Sequence, residues 1–427
     1  MAKKLSYIGV DLGGTSIKAV ELKNVGNRPQ LVTYGFVDGG YNIVNDDSKE
    51  AQSAIASHLK ELIKRSRIST DKAIAAMPSF SVFSSIISLP AMSKKDLISA
   101  VRWEAKKFVP IPLEEMILDW EVIGTTEGDK KAVLPQRDKE DDAEKKEDDK
   151  KESVQGAHLP DGQGSASGGK DKEGSKNDTS TGSGRGKKEK DKSGEAGSGS
   201  AGKDKKNKTT SVPKGNVRVL LTAAPKELVN RYVELFREVG LQLIGLETES
   251  FALERSLIGH DKNPIMVVDI GSQSTSIIIF AGSVPILNRS IDVGGKTITK
   301  SLVESMGISE AQAEQFKLDM NMSVSEDVIE KLPQPIRYMI NSIVNEIRYI
   351  LNIYQGQNKE AISKVVLTGG SAFLSNLTNY IQTIFNTKAY IGDPWARVVH
   401  PVEIDVMLKQ LGPRLSVSIG LAMREIS

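Results

Sequence analysis

Asp11, Gly13, Gly14, Thr15, Ser16 and Lys18 fall within one stretch, YIGVDLGGTSIKAVEL at residues 7–22. A second stretch, MVVDIGSQSTSIIIF at 266–280, repeats the pattern with Asp269, Gly271, Ser272, Ser274 and Thr275. In each, an apolar strand ends in Asp-x-Gly followed by small residues. Such turns leave backbone N–H groups uncovered, and uncovered N–H groups bind phosphate oxygens. The glycines let the backbone approach a ligand closely, and the serine and threonine hydroxyls add donors. Lys18, seven residues after Asp11, is placed to neutralise phosphate charge. Asp11 and Asp269, at strand ends, suit a magnesium ion held through water, because Mg²⁺ prefers carboxylates while keeping much of its hydration shell. A lone Asp-x-Gly says little. Two in matched surroundings, with the small-residue loop LTGGSAFLSNL at 367–377 that carries Gly369, Gly370 and Ser371, point to one nucleotide gripped from two sides.

The elements around the two turns also repeat. After Asp11 the pattern predicts strands over 16–23 and 30–37, then DGG at 38–40; after Asp269 it predicts strands over 275–281 and 284–291, then VGG at 293–295. Each Gly-Gly leads toward a helix. SKEAQSAIASHLKELIKRS places Ala51, Ile55, Leu59, Leu62 and Ile63 on one face, and KTITKSLVESMG opens the second helix. Each half returns to a strand, KAIAAMPS in the first and KVVLTGGSA in the second. An internal repeat of three-strand meander, helix and strand is not produced by two unrelated turns.

The first half is interrupted. Ser93 and Asp96 make a capping-box-like helix start, and Leu97, Ile98, Val101, Ala105 and Phe108 form an apolar stripe ended by Val109-Pro110-Ile111-Pro112. Alternation at Met116, Leu118, Trp120 and Val122, and again at Val217, Val219 and Leu221, predicts two half-buried strands. A helix, PKELVNRYVELFREVGL, follows, and these elements describe a small α+β subdomain. Between the strands, residues 126–213 are rich in charge, Gly and Ser and poor in apolar side chains. That composition cannot offset an ordering entropy of about 1–2 kcal/mol per residue, so a disordered insertion in a strand-to-strand loop is expected. Its charges are mixed in sign, which favours a solvated spacer over a nucleic-acid arm or membrane tether.

Composition narrows the function classes. The 427 residues allow two or three domains, and a formal net charge of +2 with no basic face argues against a nucleic-acid partner. The chain has no cysteine, which excludes disulfides, thiolate zinc sites and a cysteine nucleophile; four histidines make a histidine-rich metal centre improbable. The N-terminus reaches a polar turn too soon for a signal peptide, and no run of about 18 apolar residues predicts a membrane span. A cytoplasmic protein is expected, working at a membrane only through a partner.

The two Asp-Gly turns and the Thr-Gly-Gly-Ser loop resemble the two phosphate motifs and the adenosine motif of the actin, heat-shock-chaperone and sugar-kinase superfamily. The resemblance implies an α/β, actin-like ATPase fold: two ribonuclease H-like halves around a nucleotide cleft, with the inserted α+β subdomain and the disordered insertion. The expected boundaries are 1–85 for the first half, 86–224 for the subdomain with 126–213 inside it, 225–262 for the return of the first half, and 263–427 for the second half. Gly369, Gly370 and Ser371 would border the base and sugar. AQAEQFK at 311–317 resembles a helix of the division protein FtsA, so Glu314 and Lys317 would face ribose and base; without the superfamily they read as a surface i, i+3 pair. LETESFALERSL resembles the connecting helix that carries a water-orienting acid or amide. Glu247 matches that position best, with Glu249 nearby, and either can instead be structural.

SKKDLISAVRWEAKKFVPIPLEEMILDWEVIG at 93–124, with the ending LSVSIGLAMREIS, resembles the PilM family of actin-like type IV pilus assembly proteins over nearly the whole chain except 126–213. That resemblance implies an ATP- and Mg²⁺-binding scaffold with slow or no hydrolysis. It would recruit the cytoplasmic tail of a bitopic inner-membrane PilN-like protein into a groove between the first half and the subdomain. Trp103 and Phe108 would lie on or near the subdomain's working surface, or else in its core. Pilus motor and platform proteins, and further copies of the chain, are candidate partners. The rivals are an FtsA-like filament-forming ATPase and a sugar kinase. The kinase reading lacks the expected Asn-Asp catalytic context and the cysteine zinc loop, and the FtsA reading lacks a C-terminal membrane-targeting helix, since GLAMREIS reads as core.

Overall fold

The computed structural model describes residues 5–39, 43–44, 46–109, 111–125, 215–322, 332–357, 360–374 and 377–426. Strands β1 (Ser6–Gly13), β2 (Ser16–Val25) and β3 (Arg28–Asp38) form an antiparallel meander. Helix α1 (Lys49–Arg65) leads to β4 (Lys72–Met77), which pairs parallel with β1, and β8 (Gln242–Thr248) completes a sheet of order β3-β2-β1-β4-β8. The second half repeats this: β9 (Ile265–Ile270), β10 (Thr275–Ala281), β11 (Val284–Ile291), β12 (Lys364–Thr368) and β13 (Lys388–Ile391) take the order β11-β10-β9-β12-β13, with the same strand directions. The repeat read from the sequence is therefore a repeat of topology.

Side-chain alternation distributes each central strand between two layers. Ile8, Val10 and Leu12 of β1 pack with Ile55, Ala56, Leu59 and Leu62 of α1, while Tyr7 faces the other way. Met266, Val268 and Ile270 of β9 pack outward with α5 (Gly295–Met306), α6 (Glu310–Met322) and α7 (Gln334–Gln357), while Ile265 and Val267 face inward. The inner layer holds the short helix α4 (Glu249–Leu253), with its π-helical continuation Glu254–Ile258, and α9 (Asp405–Met423). Close approach of α9 to β1 requires Gly9, where an added Cβ would lie 2.0 Å from the Ser418 carbonyl oxygen.

Local chemistry explains the helix ends. The Ser48 side chain caps α1 by accepting from Ala51 N, and Lys64 and Arg65 complement the dipole in its last turn. Ser93 caps α2 (Lys94–Phe108) by accepting from Asp96 N at 3.2 Å, as its sequence predicts. Helix α3 (Lys226–Val239) stops at Gly240, which adopts the left-handed conformation (φ 87°) that favours glycine.

The inserted subdomain is a three-stranded sheet of order β5-β7-β6, built from β5 (Phe83–Pro90), β6 (Met116–Thr125) and β7 (Asn216–Pro225), with α2 on one face. β6 and β7 are antiparallel neighbours, so 126–213 joins two paired strands; the segment itself lies outside the described residues. Helix α3 does not pack with this sheet's core. Its Leu228, Tyr232, Leu235 and Phe236 join the core of the first half, because its apolar face continues the layer made by α1. The α2 stripe is also narrower than expected: Leu97, Val101 and Ala105 are buried, whereas Ile98 and Phe108 are exposed, because three strands cover only part of a helix face.

Candidate functional site

A cleft of about 710 Å³ opens between the two sheets, where the β1–β2 and β9–β10 turns face each other. Asp11 lies on the inner face of β1, two residues beyond Gly9, and Asp269 occupies the matching place on β9. Asp11, Gly13, Gly14, Thr15, Ser16 and Lys18 line one side of the cleft. Asp269, Gly271, Ser272 and Ser274 line the other, joined by Gly369, Gly370 and Ser371 from the loop after β12 and by Glu314 and Lys317 from α6. Two of the residues named from the sequence are not among them. Thr275 is buried and donates its hydroxyl to the Val293 carbonyl at 2.6 Å, tying the turn to the start of α5. Glu247 points away and pairs with Arg255 and, at 3.7 Å, with Arg424. The acid that the connecting element brings to the cleft is Glu249.

Backbone geometry shapes the cradle. Gly369 has φ 92°, and a Cβ there would lie 2.4 Å from both Asp269 Oδ1 and the Ile270 carbonyl oxygen. Any other residue would force the loop off the end of β9. At Gly295 an added Cβ would meet Ser371 Oγ at 2.5 Å, so that hydroxyl would have to turn aside. Lys317 Nζ donates to the Gly295 carbonyl (3.0 Å) and to Thr299 Oγ1 (2.9 Å), and pairs with Glu314, so α6 is fastened to α5 at the cleft wall. Gln273 Nε2 donates to the Gly14 carbonyl at 3.3 Å and bridges the two turns directly. Gln273, Asp38 and Arg414 are cleft residues that motif reading missed. Asp38 sits in the quoted DGG, whose Gly40 lies outside the described residues, while Arg414 pairs with Asp38 from 376 positions away and carries no local signal.

Three acidic side chains, Asp11, Asp269 and Glu249, gather here. Lys18 Nζ sits 2.8 Å from Asp11 Oδ2 and offsets one of them. Burial pushes Asp269 up to about 6, and the Asp11 charge adds to the shift while Lys18 opposes it. Burial pushes Glu249 up to about 8, with Asp11 and Asp269 adding to the rise and a hydrogen bond from Ser79 N opposing it. Glu249 is thus mostly protonated at neutral pH. A cation arriving among these acids lowers their mutual repulsion, which is the electrostatic reason for such a site to take one. No group of three or more metal-ligating side chains is preformed among the described residues. Two carboxylates, hydroxyls and uncovered backbone fit a magnesium ion that arrives on phosphate oxygens and keeps waters between itself and the protein.

On the subdomain, Trp103 and Phe108 are both exposed, Trp103 at 63 %, with Lys107 Nζ 4.0 Å from the Trp103 ring centroid. Neither is a core residue. A smaller groove of about 80 Å³, lined by Ile86 and Leu220 of the subdomain, Ser250 and Phe251 of α4, and Ile286 and Asn288 of β11, lies beside the connection into the subdomain.

Two sheets of one topology, closed around a cleft floored by Asp11 and Asp269, define an actin-like α/β protein. The fold superposes on a solved structure described as "PilM-PilN type IV pilus biogenesis complex" with a TM-score of 0.69 and 21% identity, covering 100% of both chains. At that identity the likeness is one of fold. The chain belongs to the family described as type IV pilus assembly protein PilM, whose sequence profile it matches over residues 9–152 and 206–426. It is also similar to the cell division protein FtsA, being 24% identical over 180 residues to that of Borreliella burgdorferi and 23% identical over 205 residues to that of Escherichia coli K12. These matches take in 37% and 42% of this chain, and span 42% and 49% of the two relatives. No helix among the described residues is long and apolar enough to cross a membrane.

Proposed function

We propose that this protein binds Mg-ATP in the cleft and serves as a scaffold at the cytoplasmic face of the inner membrane, recruited there by the tail of a PilN-like membrane protein. The observation that carries the nucleotide reading is the convergence of Asp11, Asp269 and three small-residue turns on one cleft. In this reading the turns at 13–16, 271–274 and 369–371 cradle phosphates and sugar, and Lys18 and Lys317 supply positive charge. Asp11 and Asp269 hold Mg²⁺ through water, and the bound ion would neutralise the phosphates. Glu249 takes the place given to Glu247 from the sequence: it is the acid positioned to orient a water.

The partner reading is supported by the family, by the superposition on a structure that contains PilN, and by the exposed Trp103 and Phe108. An extended tail would gain backbone hydrogen bonds and bury alternate apolar side chains against the subdomain. Calorimetric titration with a PilN-like tail peptide, with and without Mg-ATP, tests both halves of the proposal. Saturable binding of each is expected; no binding of the peptide overturns the partner reading, and no binding of Mg-ATP overturns the nucleotide reading. The FtsA likeness keeps one alternative, a filament-forming ATPase, for which ATP-dependent sedimentation is the discriminating result.

A further inference from the structure

Among the described residues, Lys18, Lys296, Lys317 and Arg414 are the cations that line the cleft. Three of them already face a carboxylate. Lys18 Nζ lies 2.8 Å from Asp11 Oδ2, and Lys317 Nζ lies 3.0 Å from Glu314 Oε1. Arg414 pairs with Asp38, and its guanidinium sits 4.1 Å from the centroid of the Phe36 ring. Each of these charges is offset before any ligand arrives. Lys296 differs: its ammonium makes no hydrogen bond or ion pair among the described residues, although it lines the same cleft.

The backbone fixes where Lys296 stands. Its N–H donates to the Ser272 carbonyl at 2.7 Å, and Gly295 N donates to the Gly271 carbonyl at 3.0 Å. The start of α5 is therefore tied to the second Asp-x-Gly turn by two bonds. Thr297 N is also taken, by the Gly294 carbonyl at 3.0 Å, so the first N–H groups of α5 are spent inside the protein. An anion at this end of the cleft must draw its positive charge from a side chain, and Lys296 is the residue so placed. A lysine ammonium is a compact charge on a flexible stem, suited to a phosphate oxygen.

We propose that Lys296 is a phosphate-binding residue of the cleft, its ammonium contacting an anionic oxygen of a phosphate held by the turn at 271–274. Lys18 and Lys317 then balance the protein's own acids, and Lys296 supplies charge that no carboxylate has already cancelled. The ligand's being a nucleotide rests on the reading above; its carrying phosphate is what Lys296 itself addresses. Because the side chain is exposed and unpaired, its loss should affect binding without affecting folding.

The test is calorimetric titration of two probes, Mg-ATP and magnesium pyrophosphate, into full-length wild type, Lys296→Gln, Lys296→Arg and Lys300→Gln. Lys300 lies one turn further along α5, reaches only Glu304 at 3.9 Å and does not line the cleft, so Lys300→Gln makes the same charge change away from the site. Lys296→Gln should weaken both probes about three- to tenfold, and by less at high salt, where the charge is screened. Lys296→Arg should stay within about twofold of wild type, as should Lys300→Gln, and all four proteins should unfold at one temperature. Equal affinity of wild type and Lys296→Gln for both probes overturns the proposal, and so does a loss that Lys300→Gln reproduces. If wild type takes up pyrophosphate but not Mg-ATP, the nucleotide reading fails and the pyrophosphate arm still decides Lys296. Binding of neither probe by wild type overturns both.

Discussion

Asp11 and Asp269 face each other from the same position of two copies of one motif. Asp11 pairs in register with Lys18 of β2, and Asp269 pairs in register with Ser276 of β10. The exchange of Lys for Ser makes the pair unequal. Asp11 has a cation 2.8 Å away, whereas Asp269, with no such partner on its neighbouring strand, rises to about 6 through burial and the charge of Asp11.

A pH dependence of binding follows from that inequality. In the proposed site magnesium is held by an ionised Asp269, so Mg-nucleotide affinity should strengthen as pH rises through about 6, the region to which burial moves this group. Asp269→Asn should weaken binding by about tenfold or more, roughly 1.4 kcal/mol, and flatten the profile. Titrations at pH 5, 6 and 7.5 check this; a profile unchanged in the variant counts against Asp269 as the titrating group.

Stability without nucleotide should run in the opposite direction. Glu249, raised to about 8, binds its proton more tightly in the folded than in the unfolded chain. Its contribution is fully present below the unfolded carboxyl range and is lost as pH rises toward 8. A tenfold difference in proton affinity between the folded and unfolded chain is worth about 1.4 kcal/mol, so the loss should be measurable in the denaturation midpoint. Glu249→Gln should remove most of this slope between pH 5 and 8, and a slope that persists undiminished would refute the assignment.

Replacing residues 126–213 by a short Gly-Ser turn should leave folding and Mg-ATP binding unchanged. β6 and β7 are paired up to Thr125 and Val217, so the strands already meet where the turn would close them. Thermal unfolding and nucleotide titration of the shortened chain decide the point; loss of either would show that the segment does more than connect.

Trp103→Ala should cost little stability, because the side chain is 63 % exposed, yet reduce tail-peptide affinity by about fivefold or more, roughly 1 kcal/mol. Binding that is indifferent to Trp103 and to Phe108 moves the peptide site elsewhere.

What the sequence disclosed was local. The Asp-x-Gly turns were readable because strand, acid and glycine lie within a few residues, and their repetition exposed the two-sheet architecture. Glu247 and Glu249 were harder to separate, since the chain passes from strand to helix between them: β8 ends at Thr248 and α4 starts at Glu249. A strand residue directed at Arg255 and a helix residue directed at the cleft differ by a boundary that pattern reading places only within a residue or two. Helix α3 directly follows the subdomain's last strand, but its apolar face belongs to the core under α1, which agrees with the boundary at 225. Arg414 and Gln273 enter the cleft through contacts across 376 and 259 positions, and separations of that kind leave no periodic trace.

The central claim is that one magnesium-dependent nucleotide site spans the two halves. Its most direct test is calorimetric titration of ATP into the wild type, with Mg²⁺ and with excess chelator, alongside Asp11→Ala and Asp269→Ala. The account predicts one ATP per chain, loss of binding without Mg²⁺, and at least about tenfold weakening in each variant with unchanged thermal unfolding. ATP binding that is indifferent to Mg²⁺ and to both substitutions, or no binding by the wild type, would contradict it.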